Sequence, residues 1–161
     1  MASLHSSRGF TLIETIVATG VLITALAGVA QLFILGAQLT RHANASGQAL
    51  IAAQDKLESL RALPFGYDAD GNDDTDPTLE PSLSSSLSEN VPPHVDWIDP
   101  SGTRLADPTG AAFIRRWRID TLDDATPKAI TIEVCVFRAS AGSADVGAAE
   151  ACLSTIRTRQ P

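Results

Sequence analysis

The chain has 161 residues, 44% of them apolar, and a formal net charge of −7, so one small domain with an accessory element is the expectation. That charge argues against a phosphate-binding surface, because nucleic-acid affinity rests on lysine and arginine displacing counterions. Arg115, Arg116 and Arg118 do cluster, but they read as a solvated strand face neutralised by neighbouring acids, and no nucleic-acid partner is expected.

Residues 1–9, MASLHSSRG, form a short leader with Arg8 and no acid. From Phe10 to Ala37 the chain is mainly apolar with one charge, Glu14, and exceeds the ~20 residues a helix needs to cross a bilayer. A transmembrane helix half over 10–37 is predicted. Arg8 favours a cytoplasmic N-terminus and an extracytoplasmic C-terminal body, although Arg41 on the far side weakens that inference. Leu39, Ala43, Ser46, Leu50, Ala53, Leu57 and Leu60 then recur at steps of four and three, which predicts that the helix continues as an amphipathic half over 38–63. Arg61 suits the last turn, Glu58 can pair with it, and Pro64 gives a stop. Unbroken from Phe10 to Leu63, such a helix would run roughly 80 Å at 1.5 Å per residue.

Residues 64–161 read as a loop and a β-sheet head. Turn formers and acids dominate after Pro64, with a short helix expected near Leu83 to Glu89. Three strands are predicted, Phe113 to Thr121, Ala129 to Arg138 and Ala151 to Thr158, with Gly142 and Ser143 in the turn before the last. The fold class is α+β, an antiparallel sheet packed on the second half of the helix. Cys135 and Cys152 lack C-x-x-C spacing, so a single disulfide in an oxidising compartment is the simplest reading. Pairing the last two strands with Cys135 opposite Cys152 sets Val134 against Leu153 and Ile132 against Thr155. The bridge needs the two α-carbons within about 7 Å. The other face, with Ile130, Ile132, Val134, Val136 and Leu153, is expected to pack on a helix stripe containing Leu50, Leu57 and Leu60.

The string GFTLIE, Gly9 to Glu14, resembles the N-terminus of the type IV prepilins and the pseudopilins of type II secretion. The resemblance implies cleavage by a prepilin peptidase between Gly9 and Phe10, methylation of the new N-terminus at Phe10, and Glu14 as the fifth residue of the mature chain. It further implies an inner-membrane protein that meets other pilins or pseudopilins through its N-terminal helix, and whose Glu14 meets the N-terminal amine of a neighbouring subunit during assembly. QALIAAQDKLESLRALPFG, residues 48–66, is similar to the corresponding stretch of PilV-type minor pilins and of pseudopilin I, which implies a minor subunit. The physical case for Glu14 is separate: an acid within an apolar span costs on the order of 2.5 to 3.5 kcal/mol, which either a compensating partner or snorkelling of Glu14 to the nearby interface would relieve, and the leader signature favours the partner.

Asp68, Asp70, Asn72, Asp74 and Asp76 offer an oxygen-rich spacing suited to a weak Ca²⁺ site. The pattern departs from an EF-hand, with Asp73 at the glycine position and Leu79 in place of the bidentate glutamate. A solvated acidic loop is the preferred reading. Gly20, Thr24 and Gly28 repeat at four-residue steps that allow close approach of another helix, as generic membrane-helix glycines also do. His5, His42 and His94 are too scattered for a metal cluster, and no nucleotide loop, nucleophile elbow or zinc-protease motif is present. The expectation is therefore a non-enzymatic filament subunit without a resident cofactor. Two alternatives stand beside it: an exported protein cut by a conventional signal peptidase after Ala25-Leu26-Ala27, and a membrane-anchored extracytoplasmic binding domain.

Overall fold

A computed structural model describes residues 10–122, 128–139 and 148–159; the leader and the Gly142–Ser143 turn lie outside them. Helix α1 spans Leu12–Arg61, two residues inside each expected end. No proline interrupts it. Its carboxyl end is satisfied from two directions: Ala62 N–H donates to Glu58 O at 2.9 Å, and Arg157 donates to Leu60 O and Leu63 O, each at 3.0 Å. Arg61 pairs with Glu58 at 2.9 Å, as its spacing suggested.

The chain divides into two compact units, Met1–Ala43 and Asn44–Pro161. In the first, α1 is long and apolar enough to cross a membrane, and its large side chains are exposed, among them Leu12, Ile16, Ile23, Leu32 and Phe33. Its threonines would otherwise leave hydroxyls bare on an apolar helix. Thr15, Thr19, Thr24 and Thr40 instead donate to carbonyls three or four residues back, at Leu12, Thr15, Val21 and Gly36.

The second unit is α+β, a layer of helix on a five-stranded antiparallel sheet in which β1 (Val95–Ile98), β2 (Arg104–Leu105), β3 (Phe113–Thr121), β4 (Ala129–Arg138) and β5 (Ala151–Thr158) lie in the order β2-β1-β3-β4-β5. The last three match the expected strands at both ends. The β4–β5 register also agrees, with Cys135 opposite Cys152, Val134 opposite Leu153 and Ile132 opposite Thr155. The two cysteines form a disulfide with α-carbons 4.1 Å apart.

Strand alternation sends Phe113, Trp117, Ile119, Ile130, Ile132, Val134 and Val136 toward α1, where they bury against Ala49, Ala52, Ala53, Leu57 and Leu60. One member of the expected stripe is displaced. Leu50 is 42% exposed, and Ala49 and Ala52 take its place. At 3.6 residues per turn Leu50 falls roughly 80° from the middle of the buried arc. A helix that approaches the sheet over alanines leaves that flanking leucine in solvent.

The opposite sheet face carries a second, smaller cluster of Leu87, Cys135 and Phe137. A 3₁₀ turn at Ser84–Leu87 lies over it, shorter than the helix expected near Leu83 to Glu89. The arginine cluster on β3 is not the solvated face that composition suggested. Alternation splits it: Arg115 points to the helix side, while Arg116 is 3% exposed, stacks 4.8 Å over Phe137 and donates to Asn90 Oδ1, Leu87 O and Ser88 O. Only Arg118 keeps the expected setting, paired with Asp120 and Glu133.

Candidate functional site

The sequence-predicted assembly residues stand at the start of α1. Phe10 is 82% exposed, and Gly9 lies outside the described residues. Thr11 precedes the helix and its carbonyl accepts from Glu14 N at 3.1 Å and Thr15 N at 3.2 Å. Glu14 therefore occupies the first turn, where unpaired backbone N–H groups give the helix end a partial positive charge that favours a carboxylate. The Glu14 side chain is exposed and is the one ionisable residue between Phe10 and Thr40. Beside it Leu12, Thr15, Ile16, Thr19, Gly20 and Ile23 border a shallow apolar groove. Gly20 has nothing within 4 Å of the position a Cβ would take. The surface thus offers one carboxylate, one small-residue notch and flanking aliphatic side chains.

The acidic loop is organised by itself. Asp68 Oδ1 accepts from Asp70 N at 3.0 Å and Asn72 N at 2.8 Å, while Oδ2 accepts from Asn72 Nδ2 at 3.1 Å. Gly71 supplies the left-handed residue, with φ of 81°, that the tight turn requires. Asp73 takes Thr75 N and pairs with Arg159, and Asp76 caps the 3₁₀ turn Pro77–Leu79 through Thr78 N. These donors hold the Asp68, Asp73 and Asp76 carboxyls below the usual carboxylate range; the side-chain contacts from Asn72, Arg159 and Thr78 respectively are the main causes. Of the predicted calcium ligands Asp68, Asp70, Asn72, Asp74 and Asp76, Asp68 and Asn72 bond to each other and Asp76 bonds to Thr78. Among the described residues no group of three or more His, Cys, Asp or Glu could hold a metal ion. The carboxylates of Asp68 and Asp76 accept from nearby backbone N–H groups.

A buried charge network was not anticipated. Asp96 on β1 is 1% exposed. Its Oδ2 accepts from Arg115 Nη2 at 2.8 Å and Nε at 3.3 Å, and lies 3.5 Å from Lys56 Nζ on α1. Arg104 Nε stands 2.7 Å from Oδ1, outside hydrogen-bonding geometry. Arg115 also donates to Ala52 O at 2.8 Å, and Lys56 sits 3.5 Å over the Trp117 ring. Desolvation, opposed by Asp96 and reinforced by Arg115, lowers the Lys56 pKa from its ordinary 10.5. Burial first, and then the Lys56 charge, lower that of His94, which packs 5.8 Å from Trp117. The network locks β1 and β3 to the helix segment that carries the head. Val95-Asp96-Trp97-Ile98 gave a sequence signal in its flanking apolar residues, but an aspartate at its centre reads as surface. The hairpin to β2 is fixed by Asp99, whose Oδ1 accepts from Ser101 N and Thr103 N at 2.8 Å each, with Gly102 at φ 89°.

Compared with protein-family models, curated proteins and solved structures, the chain finds no match.

Proposed function

We propose that this chain is a minor pilin or pseudopilin, a non-catalytic structural subunit of a type IV pilus or type II secretion filament. The observation that carries the reading is Gly9-Phe10-Thr11-Leu12-Ile13-Glu14 standing immediately before and in the first turn of a 50-residue helix. A peptidase substrate, an apolar anchor and an assembly carboxylate are then contiguous. In this reading prepilin peptidase cuts after Gly9 and methylates Phe10. The first part of α1 anchors the subunit in the inner membrane with its N-terminus cytoplasmic, and the head lies outside, where an oxidising compartment suits the Cys135–Cys152 disulfide.

The energetic role of Glu14 follows from its place. The helix end attracts a carboxylate by about 0.3–1 kcal/mol, less than the on the order of 2.5 to 3.5 kcal/mol that an intramembrane acid costs on insertion scales. The remainder favours any arrangement that brings a cation alongside, and the Phe10 amine of a neighbouring subunit is such a cation. N-terminal sequencing and intact mass of the protein isolated from cells test the reading. A chain beginning at methylated Phe10 is expected, with formal side-chain charge moved from −7 to −8 by loss of Arg8. A chain beginning at Gly28 would establish simple export, and one retaining Met1 in cells with active peptidase would establish a plain anchor; either result overturns the proposal.

A further inference from the structure

The Cys135–Cys152 bridge joins two unequal sulfurs. Cys135 belongs to β4, an interior strand, and is fully buried in a cluster with Leu87 and Phe137. Cys152 belongs to β5, an edge strand, and is exposed. The two residues stand directly opposite one another, so the sulfur–sulfur bond runs from β4 toward β5 on the sheet face turned away from α1. Arg159 N donates to Lys128 O at 2.7 Å in register with this ladder, which by alternation makes Cys135 and Cys152 a non-hydrogen-bonded pair. The bridge can therefore open without breaking a backbone bond.

Thiol–disulfide exchange is a displacement in which the attacking thiolate, the attacked sulfur and the leaving sulfur line up. That requirement separates the two ends of the bond. Attack on Cys152 comes from beyond the β5 edge, where among the described residues no further strand pairs. Attack on Cys135 would have to come from the β3 side. There Arg116 stands directly opposite Cys135, itself buried, stacked on Phe137 and bonded to the carbonyls of Leu87 and Ser88. The same arginine assists departure of Cys135: burial alone raises a thiol pKa and makes a poor leaving group, and a neighbouring cation opposes that.

We propose that Cys152 is a thiol–disulfide exchange site, the sulfur at which an external dithiol, or its disulfide, forms a mixed disulfide with this chain, while Cys135 is the buried leaving and resolving thiol. In the opening direction a thiolate of the dithiol bonds to Cys152 Sγ, the Cys135–Cys152 bond breaks, and its electron pair leaves on Cys135 Sγ, which takes up a proton. The second thiol of the partner then gives up its proton, attacks its own linked sulfur and displaces the Cys152 thiolate, which is protonated in turn. The dithiol ends as a disulfide and the bridge as two thiols. Closure is the same path reversed, so the mixed disulfide rests on Cys152 in both directions. The strand so fastened also carries Arg157, which donates to Leu60 O and Leu63 O, and leads into Arg159, which donates to Thr75 Oγ1. The exchange site thus governs the strand that closes the carboxyl end of α1.

The test uses the full-length, bridged chain in detergent micelles with reduced glutathione as the attacking thiol. Samples are quenched at early times with excess N-ethylmaleimide in mildly acidic urea, and the two cysteine peptides are mapped by mass. Glutathione on Cys152 with N-ethylmaleimide on Cys135 is expected, at a rate unchanged by urea well below the unfolding midpoint, because the reaction proceeds from the folded state. Two single variants extend the test with glutathione disulfide as the probe. Cys135→Ser should take up glutathione at Cys152 while tryptophan fluorescence stays native, and Cys152→Ser should take it up at Cys135 only after unfolding. If either variant fails to fold, the mapping on the unaltered chain decides alone. Glutathione on Cys135 or equally on both cysteines, or reaction that begins only as urea unfolds the chain, would each overturn the proposal.

Discussion

Asp96→Ala is the perturbation whose effect the geometry bounds most closely. The Asp96 side chain is fully inaccessible, and its partners Arg115 and Lys56 are 12% and 15% exposed. Removing the acid leaves two nearly buried cations facing one another with no carboxylate between them. Breaking a buried pair in this way costs about 3–5 kcal/mol. Arg104, 70% exposed, is rehydrated and adds little. With a urea m-value of about 1–3 kcal/mol/M for a small domain, the unfolding midpoint should fall by roughly 1–5 M. The assay is urea denaturation of the full chain in micelles, followed by fluorescence of Trp97 and Trp117, the two tryptophans of the sequence. Adding Lys56→Met to Asp96→Ala should recover part of the loss, because the second change removes an uncompensated charge. A cost below about 1 kcal/mol, or no recovery in the double variant, would refute the view that this network fastens the helix to the sheet.

On the proposed pilin reading, Glu14→Ala should insert in the membrane at least as well as the parent, since it would remove an intramembrane charge, yet its incorporation into filaments should fall, with Glu14→Gln milder; normal cleavage and insertion with undiminished incorporation would show that Glu14 does not serve assembly. Replacing both Cys135 and Cys152 by serine opens a bridge of sequence separation 17 and should cost about 3 kcal/mol by loop-closure entropy, read as a lower urea midpoint under non-reducing conditions. His94 is held below its ordinary pKa of 6.5, so the folded state resists its protonation. Stability should therefore rise as pH increases through the folded pKa toward 6.5, and the penalty is fully present below that window. His94→Gln should flatten that part of the midpoint-versus-pH curve, and an unchanged slope would assign it to other groups.

The parts of the fold legible in sequence were those with strong periodicity. Ile130-Thr131-Ile132-Glu133-Val134 alternates cleanly, and the two cysteines pinned β5 to β4, so strands and register followed together. The helix was equally plain from its apolar run and its Pro64 stop. Leu50 misled because hydropathy ranks leucine above alanine, whereas the face that packs is chosen by geometry, and Ala49 and Ala52 permit the closer approach. β1 and β2 escaped because one holds a buried aspartate and the other is two residues long. Arg116 escaped for a similar reason: its guanidinium is satisfied by carbonyls of a loop some 28 residues away, a contact with no local signature. Of the candidate site, Glu14 was visible as the only ionisable residue in an apolar run, while the threonine hydroxyls folded back along the same helix were not.

The alanine-rich face of α1 has a further consequence in time. Arg61 ends the helix and Ala151 begins β5, so about 90 residues must be made between them, which at ~5–20 residues per second leaves the helix face uncovered for roughly 5 to 20 s. A face of leucine and isoleucine would be a strongly adhesive surface during that wait. Ala45, Ala49, Ala52 and Ala53 present little apolar area each, so that part of the nascent face is less adhesive than the turn of Leu57 and Leu60 that follows it, and most of the large side chains that complete the core over the alanines are supplied by the later strands.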